Sequence, residues 1–105
     1  GARVNDKSKQ GMTPLLLAAM LNPIAAVIPL LVNAGAVVDE KDSNGRTPLM
    51  LAARFNSNPE VVSMLLAAGA ERRLKSAEEK TALDYAKANP TFRGTRQYRE
   101  LATAR

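Results

Sequence analysis

The sequence predicts an all-α fold: a solenoid of stacked helix-turn-helix repeats with projecting turns. Three observations carry that expectation. Thr13, Thr47 and Thr81 stand 34 residues apart, as do Gly1-Ala2, Gly35-Ala36 and Gly69-Ala70. The segment Thr13-Pro14-Leu15-Leu16-Leu17-Ala18-Ala19 matches Thr47-Pro48-Leu49-Met50-Leu51-Ala52-Ala53, with a weaker copy at Thr81-Ala82-Leu83-Asp84-Tyr85-Ala86-Lys87. In the same frame Leu30-Leu31 falls over Met64-Leu65. A fixed period of this size marks units too small to bury their own apolar faces, which become stable by stacking.

The central unit shows the local chemistry most clearly. Thr47 suits a helix N-cap, because its hydroxyl can accept from an orphan N–H, and Pro48 suits N1, where no N–H is needed. Leu49, Ala52 and Ala53 then share one face, and the small alanines let a neighbouring helix approach. Asn56 to Asn58 break this helix. Asn58-Pro59 opens a second one, with Glu60 in its first turn and Val61, Val62, Leu65 and Leu66 as its buried stripe. Gly69 ends it at a position that favours positive φ.

The first unit repeats the pattern with Asn22-Pro23 and Gly35, two residues out of register with Asn58-Pro59. An earlier or longer second helix is expected there, with a bend or 3₁₀ start at Pro29. Polar turns join the units: residues 4–12 in the first copy and 38–46 in the second, where Asn44-Gly45 is a tight-turn signal. Glu79 replaces Gly11 and Gly45 in the third copy, so a less regular turn is expected. A last helix over Thr95 to Ala104 turns Tyr98, Leu101 and Ala102 inward and Arg96, Arg99 and Glu100 outward, as a closing cap. The first unit has no such cover for Leu17, Met20, Leu21, Ile24 and Val27. One domain of three units is therefore expected, at about 1–34, 35–68 and 69–105, as the C-terminal part of a longer array whose open N-terminal end offers a face for self-association.

Composition narrows the chemistry. The chain of 105 residues is 46% apolar and 24% charged, within the range of folded proteins. Four aromatics and no Trp leave the core to Leu, Val, Ile, Met and Ala. The absence of Cys and His removes disulfides, thiolate sites and the commonest acid-base group. Asp6, Asp39 and Asp42 lie on projecting turns, and neighbouring turns stand about 10 Å apart if the units stack as helices do. No Gly-rich phosphate loop and no metal-ligand cluster is present, so no catalytic, metal or cofactor-binding residue is assigned and no cofactor is expected. No apolar run spans a bilayer, which argues against membrane insertion. A cytoplasmic location is slightly favoured, with periplasmic and secreted locations still open. The net charge of +5 is uneven, with +4 in residues 69–105 and +1 before them. That basic end reads as a solvated face, with nucleic acid the last-ranked partner because charges are mixed and stacking aromatics are lacking.

These residues resemble the ankyrin repeat. Its pattern is a Gly-x-Thr-Pro-Leu-His-x-Ala-Ala element, a second helix with Val-x-x-Leu-Leu, then Gly-Ala. The central copy supplies Gly45-Arg46-Thr47-Pro48-Leu49-Met50-Leu51-Ala52-Ala53, Val61-Val62-Ser63-Met64-Leu65-Leu66 and Gly69-Ala70. The first copy matches through Gly11-Met12-Thr13-Pro14-Leu15 and Ala18-Ala19. The period here is 34 and not the usual 33, with the extra residue near Asn56 to Pro59. The family histidine is replaced by Leu16, Met50 and Asp84, which removes a common side-chain to backbone hydrogen bond. The closing unit looks like that of bacterial proteins with the longer period.

The resemblance implies a module that binds another protein through its turn tips and the inner face of its first helices, without enzymatic activity. Carried onto this chain, the candidate contacts are Lys7, Lys9, Gln10, Met12, Met20 and Leu21. The second unit adds Lys41, Ser43, Asn44, Arg46, Arg54 and Phe55, and the third adds Lys75, Ala77, Glu78 and Lys80. Phe55 beside Arg54 and Arg46 has hot-spot composition, or else it packs over the long loop. The alternative role is a structural cap for a larger repeat protein.

Overall fold

The computed structural model describes residues 4–102. Three helix pairs follow one another: α1 (Pro14–Leu21) and α2 (Val27–Asn33), α3 (Pro48–Phe55) and α4 (Glu60–Ala67), α5 (Ala82–Lys87) and α6 (Arg96–Ala102). A 3₁₀ turn at Pro90–Phe92 precedes α6, and no strand occurs among the described residues. Helices α1, α3 and α5 lie side by side as an inner row, with α2, α4 and α6 behind them. The Gly1-Ala2 landmark and the last residues assigned to the closing helix, Thr103 and Ala104, fall outside the described residues.

The same local chemistry sets each unit. Thr13 and Thr47 cap α1 and α3 with nearly identical backbone angles, φ −88° and −87° with ψ 166° in both, and each hydroxyl accepts from the N–H three residues on. The second helices close alike. Gly69, at φ 96°, donates to the Leu66 carbonyl while Ala70 donates to that of Leu65. Gly35 and Ala36 repeat this on Val32 and Leu31. This is a Schellman closure, which satisfies carbonyls the helix itself leaves open.

One core runs through the stack. Leu15, Ala19 and Ile28 of the first unit, Leu49, Ala53, Val61, Val62 and Leu65 of the second, and Ala86 and Phe92 of the third are all fully buried in one cluster. Phe92 enters this core from the 3₁₀ turn that precedes α6.

Several expectations need correction. The second helix of the first unit is neither earlier nor longer: α2 has seven residues against eight in α4. Asn22 does form the expected Asn-Pro turn, accepting from Ile24 N–H at 2.9 Å. The chain then makes i→i+3 bonds from Val27 to Ile24 and from Ile28 to Ala25 before α2 begins. Pro29 thus falls in the first turn of α2, where its missing N–H costs little. The true counterpart of Asn22 is Asn56, since both are helix C-caps.

The third turn is as regular as the others. Ser76 N–H bonds Lys80 O and Glu79 N–H bonds Ser76 O, both at 2.9 Å, matching the bonds at Asp42 and Gly45. Glu79 achieves this at φ 62°, the left-handed region that is strained for residues with a Cβ. The missing family histidine is also partly replaced. Asp84 Oδ2 accepts from Thr81 N–H at 3.0 Å, and Met50 Sδ accepts weakly from Thr47 N–H at 3.4 Å. In α6 Leu101 is buried and Tyr98 half-buried, but Ala102 is exposed; Leu66, too, is only half-buried.

Candidate functional site

Turn tips and inner helices meet along one side of the stack. Each turn is closed by its own backbone, and each is also tied to the next. The Ser43 hydroxyl donates to the Gln10 carbonyl at 2.6 Å, and Ala77 N–H donates to the Asn44 carbonyl at 3.0 Å. Lys7 Nζ lies 2.8 Å from Glu40 and donates to the Lys41 carbonyl at 3.1 Å. Lys7, Gln10, Ser43 and Asn44 therefore serve the register of the stack besides lining its edge.

Arg46 occupies the centre of this side. Asp42, buried in the turn, accepts from the backbone N–H of Asn44 and of Arg46 at 2.9 Å with Oδ1, and from Arg46 Nε at 3.0 Å with Oδ2. This clamp fixes the guanidinium stem and, among the described residues, leaves the terminal nitrogens uncommitted. Arg46 lines a recess of about 420 Å³ with Ser8, Gln10, Met12, Leu17 and Met20. It also borders a second one, of about 170 Å³, with Asn44, Ala77, Glu78 and Tyr85. Tyr85 is held there by donating its hydroxyl to Ser76 Oγ at 2.8 Å.

The candidate contacts do not form one patch. Met12 is buried, packed with Leu16 and Leu51, and borders the larger recess. Met20 is half-buried at its wall. Leu21 lies elsewhere, on the open end of the first unit. Phe55 is exposed at the last turn of α3 with the Arg54 guanidinium carbon 5.0 Å from its ring centre, so the two form a cation–π pair outside both recesses. Lys75 borders a separate hollow of the third unit with Arg72, Arg73, Thr81, Leu83 and Leu101. Lys9, Lys41, Lys80, Ala77 and Glu78 are exposed on the turns. Arg72 is more than part of a solvated run, since its Nη1 donates to the Glu100 carbonyl at 2.7 Å and pins α6.

Asp84 is the group whose acidity is visibly altered. Accepting from the Thr81 backbone N–H, and then from its hydroxyl, holds the carboxyl below the ordinary aspartate range against a smaller opposing effect of burial, and Lys87 and Lys80 add to the lowering. Among the described residues no three acidic side chains gather as a metal-holding group, and no helix is long and apolar enough to cross a membrane.

Asn56, expected only to break a helix, and Asn89 both bond across units. Asn56 Nδ2 donates to the carbonyls of Ala19 and Asn22, each at 2.9 Å, and Asn89 Nδ2 donates to those of Ala53 and Asn56 at 2.9 and 3.2 Å. The 34-residue step from Asn22 to Asn56 was the available signal; aligning Asn22-Pro23 with Asn58-Pro59 hid it.

A family model described as "Ankyrin repeats (3 copies)" matches the chain over residues 1–76 and again over 22–91. None of the curated proteins matches it.

Proposed function

Because the chain belongs to the ankyrin-repeat family, whose members are generally protein–protein interaction modules, we propose that it binds a protein partner along the side formed by its turns and inner helices, centred on Arg46. The observation that carries this reading is the clamp on Arg46 beside an apolar recess. A fixed guanidinium with free terminal nitrogens suits a carboxylate, because its planar fork is already oriented. Met12 and Met20 beside it suit an apolar side chain, methionine being able to adapt its shape to what it meets. The partner segment is thus one that presents an aspartate or glutamate next to an apolar residue. Lys9, Lys41 and Lys80 on the turn tips favour its approach over that of a basic segment.

Affinity for a partner captured by the full chain tests the proposal. Arg46→Glu and Met20→Asp should each weaken binding at least about tenfold while circular dichroism and melting stay close to wild type. Undiminished binding by both variants would contradict it. A second reading, in which the last unit closes a longer stack, draws support from α6: Gln97, buried against α4, donates to Glu60 Oε2 and Ser63 Oγ at 2.9 and 3.0 Å. On that reading, deleting residues 93–105 removes the cooperativity of the thermal melt. A melt unchanged by the deletion would oppose it.

A further inference from the structure

Arg46 stands between two recesses of opposite character. The larger, of about 420 Å³, is bordered by Met12, Leu17 and Met20 and carries no acidic side chain. The smaller, of about 170 Å³, is polar, with Asn44, Glu78 and Tyr85 around it. The contrast comes from the repeat itself. Gln10, at the edge of the larger recess, and Glu78, at the edge of the smaller, hold the same place 68 residues apart. Glu78 is thus the one acidic side chain that lines either recess.

The hydrogen bonds show what this recess still offers. Glu78 is exposed, and its backbone N–H donates to Ser76 Oγ at 3.2 Å. Among the described residues its carboxylate takes no hydrogen bond and no ion pair. Arg46 borders the same recess, yet the two charges are not paired: Asp42 Oδ2 already holds Arg46 Nε at 3.0 Å. The Tyr85 hydroxyl spends its proton on Ser76 Oγ at 2.8 Å and keeps lone pairs free to accept. The side-chain amide of Asn44 has no partner among the described residues, so its oxygen is free as well. An unpaired carboxylate with further acceptors around it suits a cationic donor, the three N–H of a lysine ammonium or the fork of an arginine.

We infer that the smaller recess receives a lysine or arginine side chain of the same partner segment that places its carboxylate on Arg46, an inference that rests on the binding proposed there. The segment then has a direction along the stack: an apolar residue in the larger recess, the acid at Arg46, the cation at Glu78. Neighbouring units stand about 10 Å apart, a step that an extended chain covers in about three residues. The apolar residue and the cation therefore lie within about three residues of the acid, on opposite sides of it. Lys80, which holds the repeat position of Arg46 in the third unit, does not line the recess. A segment with a second acid in place of the cation sets like charges against each other at Glu78, and that repulsion selects between partners.

The test selects a random peptide display library on the full chain and, separately, on its Glu78→Lys variant, and titrates the selected peptides into both proteins and into Arg46→Ala. The Glu78 side chain holds nothing in place, so the variant should melt like the parent. Peptides selected on the parent should carry lysine or arginine within about three residues of the acid, on the side away from the apolar residue. They should bind Glu78→Lys about fivefold or more weakly. Changing that cation to glutamate should restore binding to Glu78→Lys, and peptides selected on the variant should already carry an acid there. Arg46-dependent peptides with the same residue at that place in both selections would overturn this inference alone. Peptides indifferent to Arg46→Ala would overturn the Arg46 site and this inference with it. Tighter binding of the parent's peptides by Glu78→Gln would also overturn the inference, because Glu78 would then oppose the partner's acid and not hold its cation.

Discussion

The side-chain amide of Asn56 lies 2.9 Å from the carbonyl oxygen of Asn22, its counterpart one repeat earlier. The second bond of the same amide, to Ala19, is buried. Helix C-termini leave carbonyls unpaired, and at the ends of α1 and α3 an asparagine of the next unit satisfies them. Asn56→Ala removes both donors and strands the acceptors in a dry place, at a cost of about 2–4 kcal/mol. Urea denaturation should show that loss, and Asn89→Ala a comparable one. A loss below about 0.5 kcal/mol for both would contradict the ladder.

Leu51 and Leu17 share a repeat position but not an environment. Leu51→Ala should cost roughly 2–5 kcal/mol by emptying a packed site, and Leu17→Ala less than about 1 kcal/mol in the chain as it stands. Chemical denaturation of the two variants measures the difference. Equal losses would mean that Leu17 is covered in solution.

Glu79 holds a left-handed conformation that glycine adopts without strain. Glu79→Gly should stabilise the fold by about 0.5–1 kcal/mol once glycine's greater unfolded freedom is deducted. Gly11→Ala should act in the opposite sense. Its φ is 77°, and a Cβ there would stand 2.9 Å from the Ser43 backbone nitrogen, so strain and collision combine to destabilise by about 1–3 kcal/mol. Thermal melts of the two variants check both signs.

Asp84 makes the fold acid-sensitive in a defined direction. Its folded pKa lies below the unfolded one, because Thr81 hydrogen bonds favour the carboxylate. The stabilisation is complete above the ordinary aspartate range and is lost as pH falls through the lowered folded value. The advantage of wild type over Asp84→Asn, followed by urea midpoints, should be constant near neutrality and shrink on acidification. An advantage independent of pH would contradict it.

How much of this was legible in the residues follows from where the signals reside. Thr-Pro at a helix start and Gly-Ala after a helix end are local, so α1, α3, α4 and the Schellman closures could be read from composition and spacing alone. The late start of α2 could not, because Asn22-Pro23 carries the same turn chemistry as Asn58-Pro59, and only packing decides whether a helix follows. The regular turn at Glu79 is a case of tertiary override: bonds at Ser76 and Lys80 hold a residue where glycine is preferred. Repeat position places a residue on a unit but does not settle its side chain's final heading. Met12 is therefore buried at the border of the recess, while Arg46 gained its importance from Asp42, a partner that no motif marks.

The central claim is that the Arg46 side of the stack is a protein-binding surface. Peptides selected from a random display library on the full chain, titrated into isotope-labelled protein, test it most directly. The account predicts sequences with a carboxylate beside an apolar residue, amide shifts concentrated at Gln10, Met20 and Arg46, and at least about tenfold weaker binding to Arg46→Ala. Shifts confined to the outer helices α2 and α4, with affinity indifferent to Arg46, would contradict it.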